Sequence, residues 1–154
     1  MNLVAVRGQS KNMTRLLVHV EGETEESFVN EVLAGHLYGF GYTKISARLV
    51  GNARQRDRRG GIRAWSSTRK DILRHLMEDA GSLSTTMVDY YALPKNGERA
   101  WPGRADAALR PFPEKALTIE EALTEDICIE MGDDFDPRRF VPYGMWREFE
   151  ELLC

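Results

Sequence analysis

The chain is poor in cysteine: only Cys128 and Cys154 occur in 154 residues, too few for a disulfide framework and without metal-ligand spacing. Free thiols in a reducing compartment are the default for such a pair. No apolar run approaches the roughly 18 to 20 residues needed to cross a bilayer. The N-terminus also has neither a basic flank with a long apolar core nor a small-residue cleavage site. A cytoplasmic protein without a membrane segment is therefore expected. There is no internal repeat and no low-complexity tract, and a phosphate-cradling glycine loop ending in Lys-Ser/Thr is missing, which disfavours a small-molecule phosphotransferase.

What is present is a folded-domain composition with a strong separation of charge. The net charge of −3 conceals it. Between Asn52 and Arg74 lie Arg54, Arg56, Arg58, Arg59, Arg63, Arg69, Lys70 and Arg74 against only Asp57 and Asp71. Between Ile119 and Asp136 lie Glu120, Glu121, Glu125, Asp126, Glu130, Asp133, Asp134 and Asp136 with no Lys or Arg. Either the two halves attract each other, or the arginine segment binds a polyanion such as nucleic acid.

Alternating apolar runs and helical periodicities read as β-α-β-α-β. The first strand spans about Arg15–Val20. A helix follows Thr24 and is predicted to bury Phe28, Val29, Val32, Leu33, His36 and Leu37, with Gly39 and Gly41 ending it. A second strand covers about Lys44–Val50. The arginine segment with its Gly60-Gly61 turn comes next, then a helix capped by Ser66 or Ser67 that buries Ile72, Leu73, Leu76 and Met77. A third strand runs from about Thr85 to Tyr91. Residues 95–117 carry Pro102, Pro111, Pro113, Gly97 and Gly103 and read as a long loop able to act as a lid. A capping box at Thr118 and Glu121 starts a last long helix, whose acidic face is expected to be solvated. Residues 139–143 suggest a final strand, and a short helix over residues 146–153 carries Glu148. Residues 1–13 read as an N-terminal extension, and residues 14–154 as one α/β domain with a mainly parallel sheet of about four strands flanked by helices.

The run Arg-Leu-Leu-Val-His-Val-Glu-Gly-Glu-Thr-Glu over residues 15–25 carries the most chemical information. Glu21 falls at the carboxyl end of a strand, where open α/β sheets bind ligands. Glu23, Glu25 and Glu26 are also accounted for as first-turn acids complementing the helix dipole. Asp89 falls at the end of the third strand, so parallel pairing of strands one and three would make Glu21 and Asp89 neighbours. Carboxylates converging without His or Cys suit Mg²⁺ or Mn²⁺, with water and substrate phosphate completing the shell. Such an ion polarises a phosphodiester and activates water, while Arg54, Arg56, Arg58, Arg59 and Arg63 supply phosphate contacts. His19 reads as a packed core histidine before it reads as a base. Tyr90, Tyr91, Trp65 and Trp101 are candidates for stacking on bases, and the two tyrosines also for a nucleophile, with aromatic packing at the strand end the competing account for the tyrosines.

The runs VEGETEESFVNEVL, SARLVG, TTMVDYYALP and FVPYGMWREFEELL, in this order, resemble a bacterial Toprim-like family of unknown function, domain-of-unknown-function family 4276. The wider resemblance is to the Toprim domain of topoisomerases, primases and overcoming-lysogenization-defect nucleases, in which a Glu and an Asp-x-Asp pair organise divalent metal. By motif position the resemblance implies Glu21 as the Toprim glutamate and Asp89 as the first metal-binding aspartate. Tyr91 stands where the second aspartate would be, and Arg147 where the closer family is expected to carry His. Glu25 and Glu148 are the acids left to complete a catalytic site. The resemblance implies a Toprim-like fold, a metal-dependent nuclease, and by analogy an effector of a bacterial anti-phage system acting beside a partner ATPase. It also implies a chain shortened at its C-terminus, for which a second copy in a homodimer is a candidate cover. The alternative is a non-catalytic module that binds protein or nucleic acid through a degenerate site.

Overall fold

A computed structural model describes residues 14–50 and 64–145. Strand β1 (Thr14–Val20) lies inside a parallel sheet, flanked by β2 (Tyr42–Leu49) and β3 (Ser82–Asp89). Two short strands, β4 (Phe140–Val141) and β5 (Gly144–Met145), continue along the far edge of β3, giving the order β2-β1-β3-β4 with β5 paired to β3. All pairings are parallel, so the carboxyl ends of β1, β2 and β3 share one edge, as expected for an α/β Rossmann-like fold. Residues 16–20 of β1 are all buried because helices cover both faces.

The two faces hold separate cores. Leu16, Val18, Val20, Ile45 and Met87 pack against Val29, Ala34 and Leu37 of the first helical segment. Val88 and Phe140 pack with Trp65, Ile72 and Leu76 of α3 (Trp65–Glu78) and with Ile119, Leu123 and Ile127 of α5 (Phe112–Met131). Among the described residues no helix is long and apolar enough to cross a membrane.

The first helical segment departs from the plain 3.6-residue pattern. It consists of α1 (Glu23–Phe28), a π turn (Val29–Leu33) and α2 (Ala34–Tyr38). The wide turn adds a residue, so the buried set becomes Val29, Ala34 and Leu37 rather than one including Val32 and His36, and Val32 is 57% exposed. Gly39 ends the segment, and Gly41 turns the chain into β2 with φ of 98°.

Three other expectations are corrected. Helix α3 begins at Trp65 with Ala64 before it, so Ser66 and Ser67 lie in the first turn and do not cap it, and Met77 is exposed. Helix α5 begins at Phe112 instead of near Thr118, because proline is tolerated in a helix's first turn and Pro113 sits there. Thr118 lies inside the helix, donating its hydroxyl to the Glu114 carbonyl at 2.8 Å.

The proline-rich stretch is not a loose lid. It holds a 3₁₀ turn (Gly97–Arg99) and α4 (Arg104–Ala108), and Trp101 is 2% exposed with its backbone N–H donating to the Pro94 carbonyl. The Trp101 ring lies 4.9 Å from that of Trp65, so both indoles are core residues and neither presents a face for stacking on bases. Gly103 fixes the seat of α4. Its φ is +78°, and a Cβ there would lie 2.8 Å from the Cβ of Ala122 and 2.9 Å from the carbonyl of Thr118. Any side chain at this position would therefore push α4 off α5.

Candidate metal and phosphate edge

Pairing of β1 with β3 sets Val20 against Met87, so the chain leaves the sheet at Glu21 beside Asp89. The two are in contact: the Asp89 N–H donates to Glu21 Oε2 at 3.3 Å. Asp89 in turn uses Oδ1 to accept the Tyr91 N–H at 2.9 Å, capping a 3₁₀ turn over Tyr90–Ala92. One oxygen of each carboxylate is thus engaged with backbone. Among the described residues the second oxygen of each, Glu21 Oε1 and Asp89 Oδ2, takes no hydrogen bond.

Glu25 approaches the Glu21 turn from the helix side. The extended Gly22 precedes α1, and a Cβ on it would lie 3.2 Å from Glu25 Oε2, so the Glu25 carboxylate folds back over the turn. Burial, opposed by the Asp89 N–H and reinforced by the charges of Glu25 and Asp89, raises the Glu21 carboxyl to about 6. A half-buried carboxylate held among like charges is the electrostatic setting that a cation relieves. Mg²⁺ is commonly held by one or two carboxylates with waters and substrate phosphate, so the Glu21 and Asp89 oxygens fit such an ion. Among the described residues no three or more His, Cys, Asp or Glu side chains gather into a ready-made metal cage.

Of the residues singled out in the sequence, the structure puts Glu21 in contact with Asp89, with Glu25 near enough for its charge to act on Glu21. Glu148 and Arg54, Arg56, Arg58, Arg59 and Arg63 lie outside the described residues. The basic and acidic segments do meet in part: Arg69 pairs with Asp126 at 3.2 Å and Glu130 at 3.8 Å, and Trp65 Nε1 donates to Asp126 at 2.6 Å. Part of the acidic face of α5 therefore ties it to α3 and is not simply solvated.

Arg104 was not legible as a site-associated residue. It is 6% exposed, its guanidinium lies 4.0 Å above the Tyr90 ring, and it donates to the Tyr90 carbonyl at 3.1 Å and hydroxyl at 3.0 Å. No sequence signal marks it, because its partner is a backbone carbonyl and a neutral phenol fourteen residues away.

His19 is buried as expected, but among the described residues its Nε2 has no hydrogen-bond partner, and its ring meets His75 edge-on at 6.5 Å. Burial, then the charges of His75 and Arg48, push its pKa down to about 3. A neutral ring facing α3 is a core element and carries no general-base role at the Glu21 edge.

The sequence profile of a family described as a domain of unknown function, DUF4276, matches residues 20–154. That span is most of the chain, and the chain belongs to this family. No curated protein and no solved structure matches it.

Proposed function

We propose that this member of the DUF4276 family is a Toprim-type, divalent-metal-dependent phosphodiester-processing protein, nucleolytic in activity. The observation that carries the proposal is the Glu21–Asp89 contact across adjacent strand ends, with one oxygen of each carboxylate left for a cation. Glu21 and Asp89 would hold Mg²⁺ or Mn²⁺, and such an ion supplies Lewis-acid polarisation of a phosphoryl oxygen and a water of lowered pKa. Glu25, close enough to raise the Glu21 pKa by its charge, holds or moves a proton at its carboxylate, a role Glu148 is the other candidate to share. Arg54, Arg56, Arg58, Arg59 and Arg63 follow β2, whose carboxyl end lies on the same sheet edge, and would engage phosphates. Service as an anti-phage effector beside a partner ATPase follows from the Toprim analogy alone.

The test is cleavage of labelled single- and double-stranded DNA and RNA in Mg²⁺ or Mn²⁺, with EDTA as control. Glu21→Gln and Asp89→Asn are each expected to lower the cleavage rate at least about 100-fold, the scale on which loss of a charge-stabilising group acts. Variants that cut at the wild-type rate would sink the proposal. Tyr91, standing where the Toprim pattern carries its second aspartate, favours the second reading, a non-catalytic binding module. That reading predicts nucleic-acid or protein binding with no metal-dependent turnover.

A further inference from the structure

The turn after Asp89 carries two tyrosines with opposite fates. Tyr90 is 2% exposed, whereas Tyr91 is 59% exposed although it lies one residue further along. Folding has found a buried place for the first ring and left the second in solvent at the carboxylate edge.

The exposed ring is nevertheless held by a chain of contacts. Its backbone N–H is fixed by Asp89 Oδ1 at 2.9 Å. Its ring meets Tyr90 at 4.9 Å with an interplanar angle of 83°. Tyr90 is clamped by the buried Arg104, through its ring face, its carbonyl and its hydroxyl. Arg104 follows Gly103, whose close approach to α5 fixes where α4 begins. A guanidinium taken out of water is costly unless its donors are satisfied, and here that cost is spent on immobilising a tyrosine pair. Rigid, exposed aromatic rings lose little conformational entropy on binding and are efficient contact surfaces.

Resting on the phosphodiester reading of the Glu21–Asp89 edge, we propose that Tyr91 is a stacking platform for a nucleobase adjoining the phosphate handled there, which makes the substrate single-stranded or locally unpaired nucleic acid. In a duplex the base faces are covered by their neighbours, whereas an unpaired strand offers them to an aromatic ring. Stacking uses the ring face, so the phenol hydroxyl is dispensable and the platform tolerates any base. The position that holds a second aspartate in the Toprim pattern is on this account occupied by a substrate-gripping residue.

The experiment measures fluorescence anisotropy of labelled oligonucleotides in EDTA: a single strand, the same strand with one abasic position scanned along it, and the duplex. Wild type is expected to prefer the single strand to the duplex and to lose affinity at one abasic position. Tyr91→Ala is expected to weaken single-strand binding about 10-fold and to erase the abasic effect, while Tyr91→Phe retains both. Because the side chain is exposed, thermal melting of each variant checks that the fold is kept. Equal binding by wild type and Tyr91→Ala, equal affinity for duplex and single strand, or no oligonucleotide binding by wild type would each overturn the inference. The metal-dependent step is read separately: cleavage that survives Tyr91→Ala unchanged refutes the platform and leaves the metal site standing. Tyr91-dependent binding with no cleavage supports the platform and refutes the nuclease.

Discussion

Acidification of the metal-free protein from pH 7.5 towards pH 3 is expected to remove several kcal/mol of stability through one side chain, His19. Its folded pKa lies near 3, against an ordinary value of 6.5, because burial and the positive fields of His75 and Arg48 disfavour the imidazolium. The unfolded chain binds a proton there at pH values where the folded chain does not. His19 therefore costs nothing above pH 6.5, and stability is lost as pH falls below it, by about 1.4 kcal/mol per pH unit and roughly 5 kcal/mol in all. His75, also lowered by burial, acts in the same direction, moderated by Asp79 and Glu78. Urea denaturation at pH 7.5 and pH 4.5 checks this: His19→Leu should gain about 2 to 3 kcal/mol over wild type at the lower pH relative to the higher. An identical pH dependence in the two proteins would contradict it.

Glu21 titrates with the opposite sign. Its carboxyl is raised to about 6 from 4.5, so the folded state binds the extra proton, and its stabilising effect is present below pH 4.5 and lost as pH rises through 6. At pH 7 and above the ionised carboxylate costs roughly 1 to 2 kcal/mol, the lower figure allowing for its partial exposure. Glu21→Gln keeps an acceptor for the Asp89 N–H but never ionises. It is expected to be more stable than wild type by that amount at pH 8 and no more stable at pH 4, while losing the metal response. In wild type the Glu21 and His19 slopes cancel between about pH 6 and 4.5, and the glutamine variant should uncover the full acid loss in that window. A variant that is less stable than wild type at pH 8 would show that the carboxylate is not strained.

Gain of stability on removing a charged group is the signature of a residue kept for function. It also sets Glu21 apart from the first-turn acids Glu23, Glu25 and Glu26. First-turn acids that merely complement a helix dipole are stabilising. Glu21, ahead of the helix and in contact with Asp89, is expected to be destabilising once ionised.

The parallel sheet and, given strands one and three as neighbours, the meeting of Glu21 with Asp89 were legible because parallel strands separated by helices leave their carboxyl ends on one edge, and both acids end a strand. The helix boundaries were less so. Pro111 and Pro113 read as loop punctuation, yet first-turn proline lacks only a hydrogen bond that the helix start cannot make. The π turn at Val29–Leu33 left no mark in the apolar spacing, since one inserted residue exchanges Val32 for Ala34 at the buried face without breaking the run. The clamp of Arg104 on Tyr90 was invisible for another reason: a buried cation satisfied by a carbonyl and a phenol has no sequence complement to search for. Trp65 and Trp101 misled because loops rich in proline and arginine look exposed, whereas their indoles pack on each other inside the core.

A divalent cation held by Glu21 and Asp89 would be seen in calorimetric titration of Mn²⁺ and Mg²⁺ into wild type and Asp89→Asn. Saturable binding of about one ion in wild type, lost in the variant and weakening as pH falls below about 6 with protonation of Glu21, is the predicted result. Equal binding by the two proteins would place the ion elsewhere and contradict the account.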